Sequence, residues 1–365
     1  MIKLLISTML ISFSVLAQTP QYPEEEWLTS TPEEQGFNTQ KLDVAFQFAF
    51  SEKEPHRTDT LLVIRNGKLI KEQYSDGAQA ETLHRIWSCT KSFVGALFGI
   101  TINKRLLTLD TTIASYYPEI DKRVTVENML MMSSGLDWNE GYEGNPLRSQ
   151  VIRMLYTDGY KDMATFVSRR NQIYRPGTHF QYSSGETNLL MGFLRDVVGN
   201  EKYENYPWVE LFDPLKIKNV TWQRDQKGTY IGSSYLFMRA RDFAKLGYLY
   251  LHQGKWKETQ LIEPDYIKKS IQPNPAFLNT KMEGEWNRHS YGMHWWLNVD
   301  LSEKNETRIY PDVPNDAYFA LGHHGQTLAV IPSLNLIIVR YGSDKKQNID
   351  RNKLVSLITQ SVEKN

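Results

Sequence analysis

Two pairs of strand-like runs stand at opposite ends of this chain, separated by a long middle. Residues 61–65 and 68–74 are rich in β-formers and are joined by Asn66-Gly67, two residues that tolerate positive φ and favour a tight hairpin. Near the other end, residues 326–332 and 335–341 form a second apolar pair about Ser333-Leu334, followed by an amphipathic stretch at 352–362. Strands at both ends suggest one antiparallel sheet. Between them, residues 93–102, 126–132, 163–168 and 188–198 carry apolar side chains at helical spacing, which predicts a mainly helical middle. No repeat, low-complexity tract or linker rich in Pro, Gly or Ser separates independent units.

The composition is ordinary for a globular chain of 365 residues, with 41% hydrophobic and 23% charged side chains. Lys plus Arg and Asp plus Glu are equal at 42 each, so no basic field exists to attract nucleic acid or an anionic membrane. A neutral or small substrate is the expectation. Residues 1–17 read as an export signal: Lys3 gives the positive start, residues 4–16 are largely apolar, and Ala17 precedes Gln18. The apolar run is shorter than the ~20 residues a membrane span needs, so a periplasmic or secreted chain with no stable span after cleavage is expected. Cys89 is the single cysteine, which excludes an intramolecular disulfide and reads as a small buried hydrophobe.

Chemistry enters at Trp87-Ser88-Cys89-Thr90-Lys91, a polar turn that leads into an apolar, helix-like stretch. A serine hydroxyl is a weak nucleophile and needs a base within hydrogen-bond reach. Lys91, three residues on, lies on the same helical face. Desolvation by the apolar run would lower its pKa and make it a neutral base. The pattern alone is weak, since Ser343-Asp344-Lys345-Lys346 and Ser361-Val362-Glu363-Lys364 also match it in charged, solvated settings.

Two further candidates follow. Tyr182, in Phe180-Gln181-Tyr182-Ser183-Ser184-Gly185-Glu186, would reach a shared cleft, where a nearby lysine ammonium favours its phenolate and equips it to relay a proton. Gly322-His323-His324-Gly325-Gln326 opens a strand whose glycines let backbone approach a substrate and supply one half of an oxyanion hole. A metal reading of the paired histidines is set aside, because strand neighbours face opposite ways and no third ligand stands at metal-site spacing. No cofactor is called for.

With Ser-x-x-Lys, Tyr-x-Ser and His-His-Gly in this order, the chain resembles the penicillin-recognising serine hydrolases, a superfamily that includes serine β-lactamases, D-alanyl-D-alanine peptidases, esterases and 6-aminohexanoate-dimer hydrolase. Thr31-Pro32-Glu33-Glu34-Gln35-Gly36, the run from Val126 to Leu136, Asp213-Pro214-Leu215, residues 240–247 and Tyr291-Gly292-Met293-His294-Trp295-Trp296 extend the resemblance over nearly the whole chain after residue 17. It implies an α+β fold, an antiparallel sheet flanked by helices and built from residues 18–95 and 225–365, with an all-helical lobe, 96–224, inserted between them. It also implies that Ser88 attacks a carbonyl, Lys91 accepts its proton, Tyr182 relays protons, and the backbone N–H groups of Ser88 and Gln326 form the oxyanion hole.

The departures bear on substrate. Relatives efficient on β-lactams carry Asn two residues after the tyrosine and Lys at the head of the third motif, where this chain has Ser184 and His323. Near neutral pH a histidine offers only partial charge to a substrate carboxylate. Tyr-x-Ser followed by Gly185-Glu186-Thr187-Asn188, with a Gly-x-x-Gly-Gln third motif in Gly322-His323-His324-Gly325-Gln326, looks closest to the 6-aminohexanoate-dimer hydrolase and esterase branch, which implies a small amide or ester substrate. Trp138, Tyr142 and Trp296 are candidate walls for an acyl pocket. Two further readings stay open: a β-lactamase or D-alanyl-D-alanine carboxypeptidase, and a sensor that binds penicillin or cell-wall peptide without turnover.

Overall fold

The computed structural model describes residues 20–141, 148–280, 290–345 and 347–363; the expected leader 1–17 and Tyr142 lie outside the described residues. The first hairpin forms from strands Thr58–Arg65 and Lys68–Tyr74, with Asn66 and Gly67 at φ of 53° and 76°. Two consecutive positive φ values give the turn that matches natural strand twist. The C-terminal pair forms from Gln326–Ile331 and Leu336–Gly342 across the 3₁₀ turn Pro332–Leu334.

Leu336–Gly342 is the seam between the two ends of the chain. It pairs antiparallel with both flanking strands, so Ile338 stands opposite Val63 on one side and Ala329 on the other. Tyr318–Gly322, Trp296–Leu297 and Ser290–Tyr291 extend the sheet beyond Gln326–Ile331, and Leu28–Thr29 joins its other edge in parallel with Lys68–Tyr74.

The central strands are buried on both faces, which explains why their sequences read as continuous apolar runs rather than alternating ones. Leu62, Ile64, Leu328, Val330, Ile337 and Val339 join one core, together with Phe243, Leu246 and Leu249 of helix Ala240–Leu251. Their neighbours Leu61, Val63, Ala329, Ile331, Leu336 and Ile338 join the other, with Leu42 and Phe46 of helix Thr39–Ala49 and Leu354 and Ile358 of helix Arg351–Gln360. Each buried aliphatic side chain contributes about 1.5–3 kcal/mol. A one-residue slip would exchange every side chain between the two cores, so the register is firmly set.

Helix Thr90–Asn103 is buried over residues 90–101 and packs against helices Ser184–Val198 and Pro264–Ser270. In the middle of the chain, helices Val126–Leu130, Gln150–Tyr156, Met163–Ser168 and Ser184–Val198 start at the side-chain caps Thr125, Ser149, Asp162 and Ser183. Each cap accepts a first-turn N–H that would otherwise be orphaned. One strand, Val220–Trp222, comes from the stretch expected to be all-helical. It pairs with Leu236–Met238, which in turn pairs with His84–Arg85. Three residues are too few for periodicity to register. This small sheet is what fixes the backbone just ahead of Ser88.

Candidate active site

Ser88 sits on the 3₁₀ turn Trp87–Cys89, directly ahead of helix Thr90–Asn103. The Ile86 N–H donates to Leu236 O (3.0 Å), and the Cys89 thiol lies 3.9 Å from Gln326 O. Burial pushes the Cys89 thiol well above its ordinary pKa, in keeping with a packing role. Trp87 has φ 52°, a left-handed backbone for a bulky aromatic, and Met132, His294 and His324 share that conformation at 56°, 61° and 60°. Such strain costs on the order of 1–3 kcal/mol per residue and gathers at functional sites.

The Lys91 side chain is 1% exposed, and its Nζ donates to Ser88 Oγ (3.2 Å), Ser184 Oγ (3.1 Å) and the Ser233 carbonyl (3.0 Å). Burial lowers its pKa to about 8, against the opposing pull of Glu140. Asn188 holds the Ser233 residue in place, accepting from Ser233 N (3.0 Å) and donating to Ser233 Oγ (3.1 Å).

The Tyr182 hydroxyl lies towards Ser88, which favours its ionised form, and the ring centroid is 5.0 Å from Lys91 Nζ. Trp296 stacks on the ring (5.3 Å) and Tyr291 meets it edge-on (5.9 Å). The phenolate expected beside an ammonium is not favoured here. Burial, then Tyr291 and Glu140, holds the Tyr182 hydroxyl well above its ordinary pKa in spite of the opposing effect of Ser88. Desolvation outweighs the cation. A neutral phenol both donates and accepts, which is what passing a proton requires.

Ser184 opens the first turn of helix Ser184–Val198, with Ser183 as its cap. Its hydroxyl donates to Glu140 Oε1 (2.6 Å), and its N–H donates to Glu140 Oε2 (2.8 Å). Trp138, expected as a pocket wall, is 3% exposed and packs against Gly185, where a Cβ would fall 2.6 Å from its ring. The Trp138 indole N–H donates to Glu140 Oε2 (2.6 Å). It braces the site from behind instead of presenting a free face to the cleft.

The third motif turns tightly between Tyr318–Gly322 and Gln326–Ile331. Gly325 has φ 84°, and an added Cβ would stand 2.1 Å from Asp344 Oδ2 and 2.3 Å from Arg340 Nη1. Only glycine fits there. Beneath it, the buried Arg340–Asp344 pair is bidentate (2.9 and 2.8 Å), and Arg340 also donates to Gly325 O (2.9 Å). The Gln326 side chain is buried and donates to Gly342 O (2.6 Å), so it anchors the turn while its backbone lies beside the Ser88 turn. His323 and His324 meet the Trp87 ring edge-on at 5.1 and 5.5 Å, and His324 Nδ1 is 2.6 Å from Asp344 O. Burial, then His324 and Arg85, lowers the His323 pKa, so near neutrality it carries little charge. The Arg85 guanidinium is sandwiched between Trp87 and Tyr235 at 3.5 and 3.6 Å.

The structure thus brings Ser88, Lys91, Tyr182 and Ser184 within contact, with the His323–Gln326 turn alongside. Glu140, Asn188, Ser233 and Arg85 were not anticipated. Glu140 in particular lies far from the three motifs in sequence, and only the packing of Trp138 on Gly185 delivers it. Among the described residues no group of three or more His, Cys, Asp or Glu side chains is arranged to hold a metal ion.

An antiparallel sheet flanked by helices, with a Ser-Lys-Tyr cluster at its boundary with the helical region, defines an α+β fold of the β-lactamase and transpeptidase type. Residues 49–360 match the Beta-lactamase family model, and the chain belongs to that family. Solved structures agree in fold. A protein of Bacillus anthracis provisionally assigned as a 6-aminohexanoate-dimer hydrolase aligns over 92% of this chain and 86% of its own, with TM-score 0.66 and 19% identity. EstCE1, a hydrolase with promiscuous acyltransferase activity, aligns over 88% and 98%, with TM-score 0.70 and 15% identity. A class C β-lactamase aligns over 90% and 97%, with TM-score 0.62 and 16% identity.

Proposed function

We propose that this chain is a serine hydrolase that cleaves a small amide or ester through an acyl-enzyme on Ser88. The observation that carries the reading is Lys91. A desolvated amine with a pKa near 8, 3.2 Å from a serine hydroxyl, is the base a serine nucleophile needs. In this reading neutral Lys91 takes the Ser88 proton as Oγ attacks the carbonyl carbon, and the backbone N–H groups of Ser88 and Gln326 hold the developing oxyanion. Tyr182 carries the proton to the leaving amine or alcohol, the acyl–oxygen bond to Ser88 remains, and a water then enters by the reverse path.

Two features favour esters and simple amides over β-lactams. The Ser184 hydroxyl is committed to Glu140 and Lys91, leaving no side-chain amide there to bind a lactam's flank. His323 is close to neutral and offers no firm charge for a carboxylate. Export by residues 1–17 belongs to the same proposal, resting on sequence pattern alone.

The test is turnover of three probes by the purified chain: a short-chain p-nitrophenyl ester, 6-aminohexanoate dimer and nitrocefin. The reading predicts hydrolysis of the ester or the dimer with nitrocefin slow or inert. Preferential nitrocefin hydrolysis would replace it with a β-lactamase, and stoichiometric acylation without turnover would replace it with a sensor.

A further inference from the structure

Lys91 is useful as a base only if its lone pair points at Ser88, and its three partners determine whether it does. As an ammonium it donates one N–H each to Ser88 Oγ, Ser184 Oγ and Ser233 O. When it loses a proton it keeps two N–H groups, and the partners compete for them. The Ser233 carbonyl can only accept. A hydroxyl can accept or donate, but it has a single proton, and the Ser184 proton is given to the Glu140 carboxylate at 2.6 Å. Ser184 is thereby made an acceptor towards Lys91.

Building on the hydrolase reading above, we propose that Glu140 is a positioning residue for the base: by drawing the Ser184 proton to itself it obliges the two N–H groups of neutral Lys91 to face Ser184 and Ser233, and directs the lone pair to Ser88. Glu140 does not touch the reacting atoms. It is held for this task by the Ser184 N–H at 2.8 Å and the Trp138 indole N–H at 2.6 Å, both on Oε2, which leaves Oε1 for the Ser184 hydroxyl. Trp138 is itself fixed by its packing against Gly185 on the helix that carries Ser184. The Glu140 charge also acts on Lys91 through space, opposing the effect of burial. If an amide replaced the carboxylate, it would present N–H groups to Ser184, whose proton could then turn to the Lys91 lone pair and occupy it.

The experiment is a double-mutant cycle on Glu140→Gln and Ser184→Ala, read by steady-state ester hydrolysis, its pH profile and the single-turnover acylation rate, with folding checked by circular dichroism. Glu140→Gln should lower kcat and the acylation rate by about 10- to 100-fold with little change in KM, the scale expected when a general base is misaligned. Because Glu140 works through Ser184, the same change in a Ser184→Ala background should cost no more than about 3-fold. Removing the anion that supports the Lys91 ammonium should also move the acidic limb of kcat/KM to lower pH, and Glu140→Asp should recover part of the rate. An undiminished loss in the Ser184→Ala background, or no loss at all, would overturn the proposal. So would acyl-enzyme that accumulates in Glu140→Gln at an unchanged acylation rate, since that result would make Glu140 a base for water. If the wild type itself shows no Ser88-dependent turnover, the hydrolase reading fails first, and the cycle distinguishes the two failures.

Discussion

Lys91 Nζ stands 3.2 Å from Ser88 Oγ with its stem sealed inside the protein, so amine and hydroxyl meet where burial keeps water from solvating the ammonium. The chemistry of the site follows from that burial. Acylation should require the neutral amine, and its rate should therefore rise with pH through an apparent pKa near 8. Single-turnover acylation from pH 6 to 10 measures this directly. Lys91→Arg should lose at least about 100-fold, because a guanidinium stays protonated throughout that range.

The same burial has a stability signature. The folded chain holds Lys91 at a pKa of about 8, below the ordinary 10.5, so between those two pH values the unfolded chain binds more protons and folding grows more favourable as pH rises. Below pH 8 the fold bears a penalty on the order of 3 kcal/mol for the charged, desolvated amine. Denaturant titrations of wild type and Lys91→Met should show their difference shifting in favour of wild type from pH 8 to 10.5. A constant difference across that window would mean that Lys91 is solvated.

Glu186 behaves in the opposite sense. Burial raises its carboxyl to about 8, although Ser134 N–H donates to it at 3.4 Å. A raised carboxyl pKa contributes stability that is present below about pH 4.5 and is lost as pH rises to 8. Glu186→Gln should therefore match wild type near pH 4.5 and exceed it at pH 8 by an amount on the order of 3–5 kcal/mol. Thermal unfolding at the two pH values checks the sign.

Much of this was legible beforehand, for identifiable reasons. The Asn66-Gly67 hairpin and the C-terminal strands announce themselves because each is a local pattern with its own turn chemistry. Ser88, Lys91 and Tyr182 stood out as candidates because their motifs follow one another in the order the resemblance carries, and the structure brings the three side chains together. Strand Val220–Trp222 was not legible, being defined by pairing with distant residues. The neutral state of Tyr182 was missed because desolvation by Tyr291 and Trp296 belongs to the packed structure and not to residue spacing. Glu140 was missed for the same reason: Ser184, which bonds both of its carboxylate oxygens, is distant in sequence, and the neighbouring Trp138 reads as a pocket wall instead of a brace for a carboxylate.

Gly325 offers a purely steric test of the third motif. At φ 84°, with Asp344 and Arg340 within 2.3 Å of where a Cβ would stand, Gly325→Ala must displace the His323–Gln326 turn or the buried ion pair beneath it. Moving the turn shifts the Gln326 N–H, and losing a donor to a developing oxyanion costs about 10²–10³ in rate. The substitution should cut kcat by that order while KM changes little. A variant with wild-type kcat would remove Gln326 from the oxyanion hole.

The central claim is that Ser88 becomes acylated. Full-length wild type and Ser88→Ala should be mixed with a short-chain p-nitrophenyl ester, quenched in acid within the first turnovers, and examined by intact-protein mass and peptide mapping. The account predicts an acyl adduct on Ser88 in the wild type, p-nitrophenolate release that continues after the first equivalent, and neither in Ser88→Ala. An adduct on any other residue, or release that persists in Ser88→Ala, would contradict it.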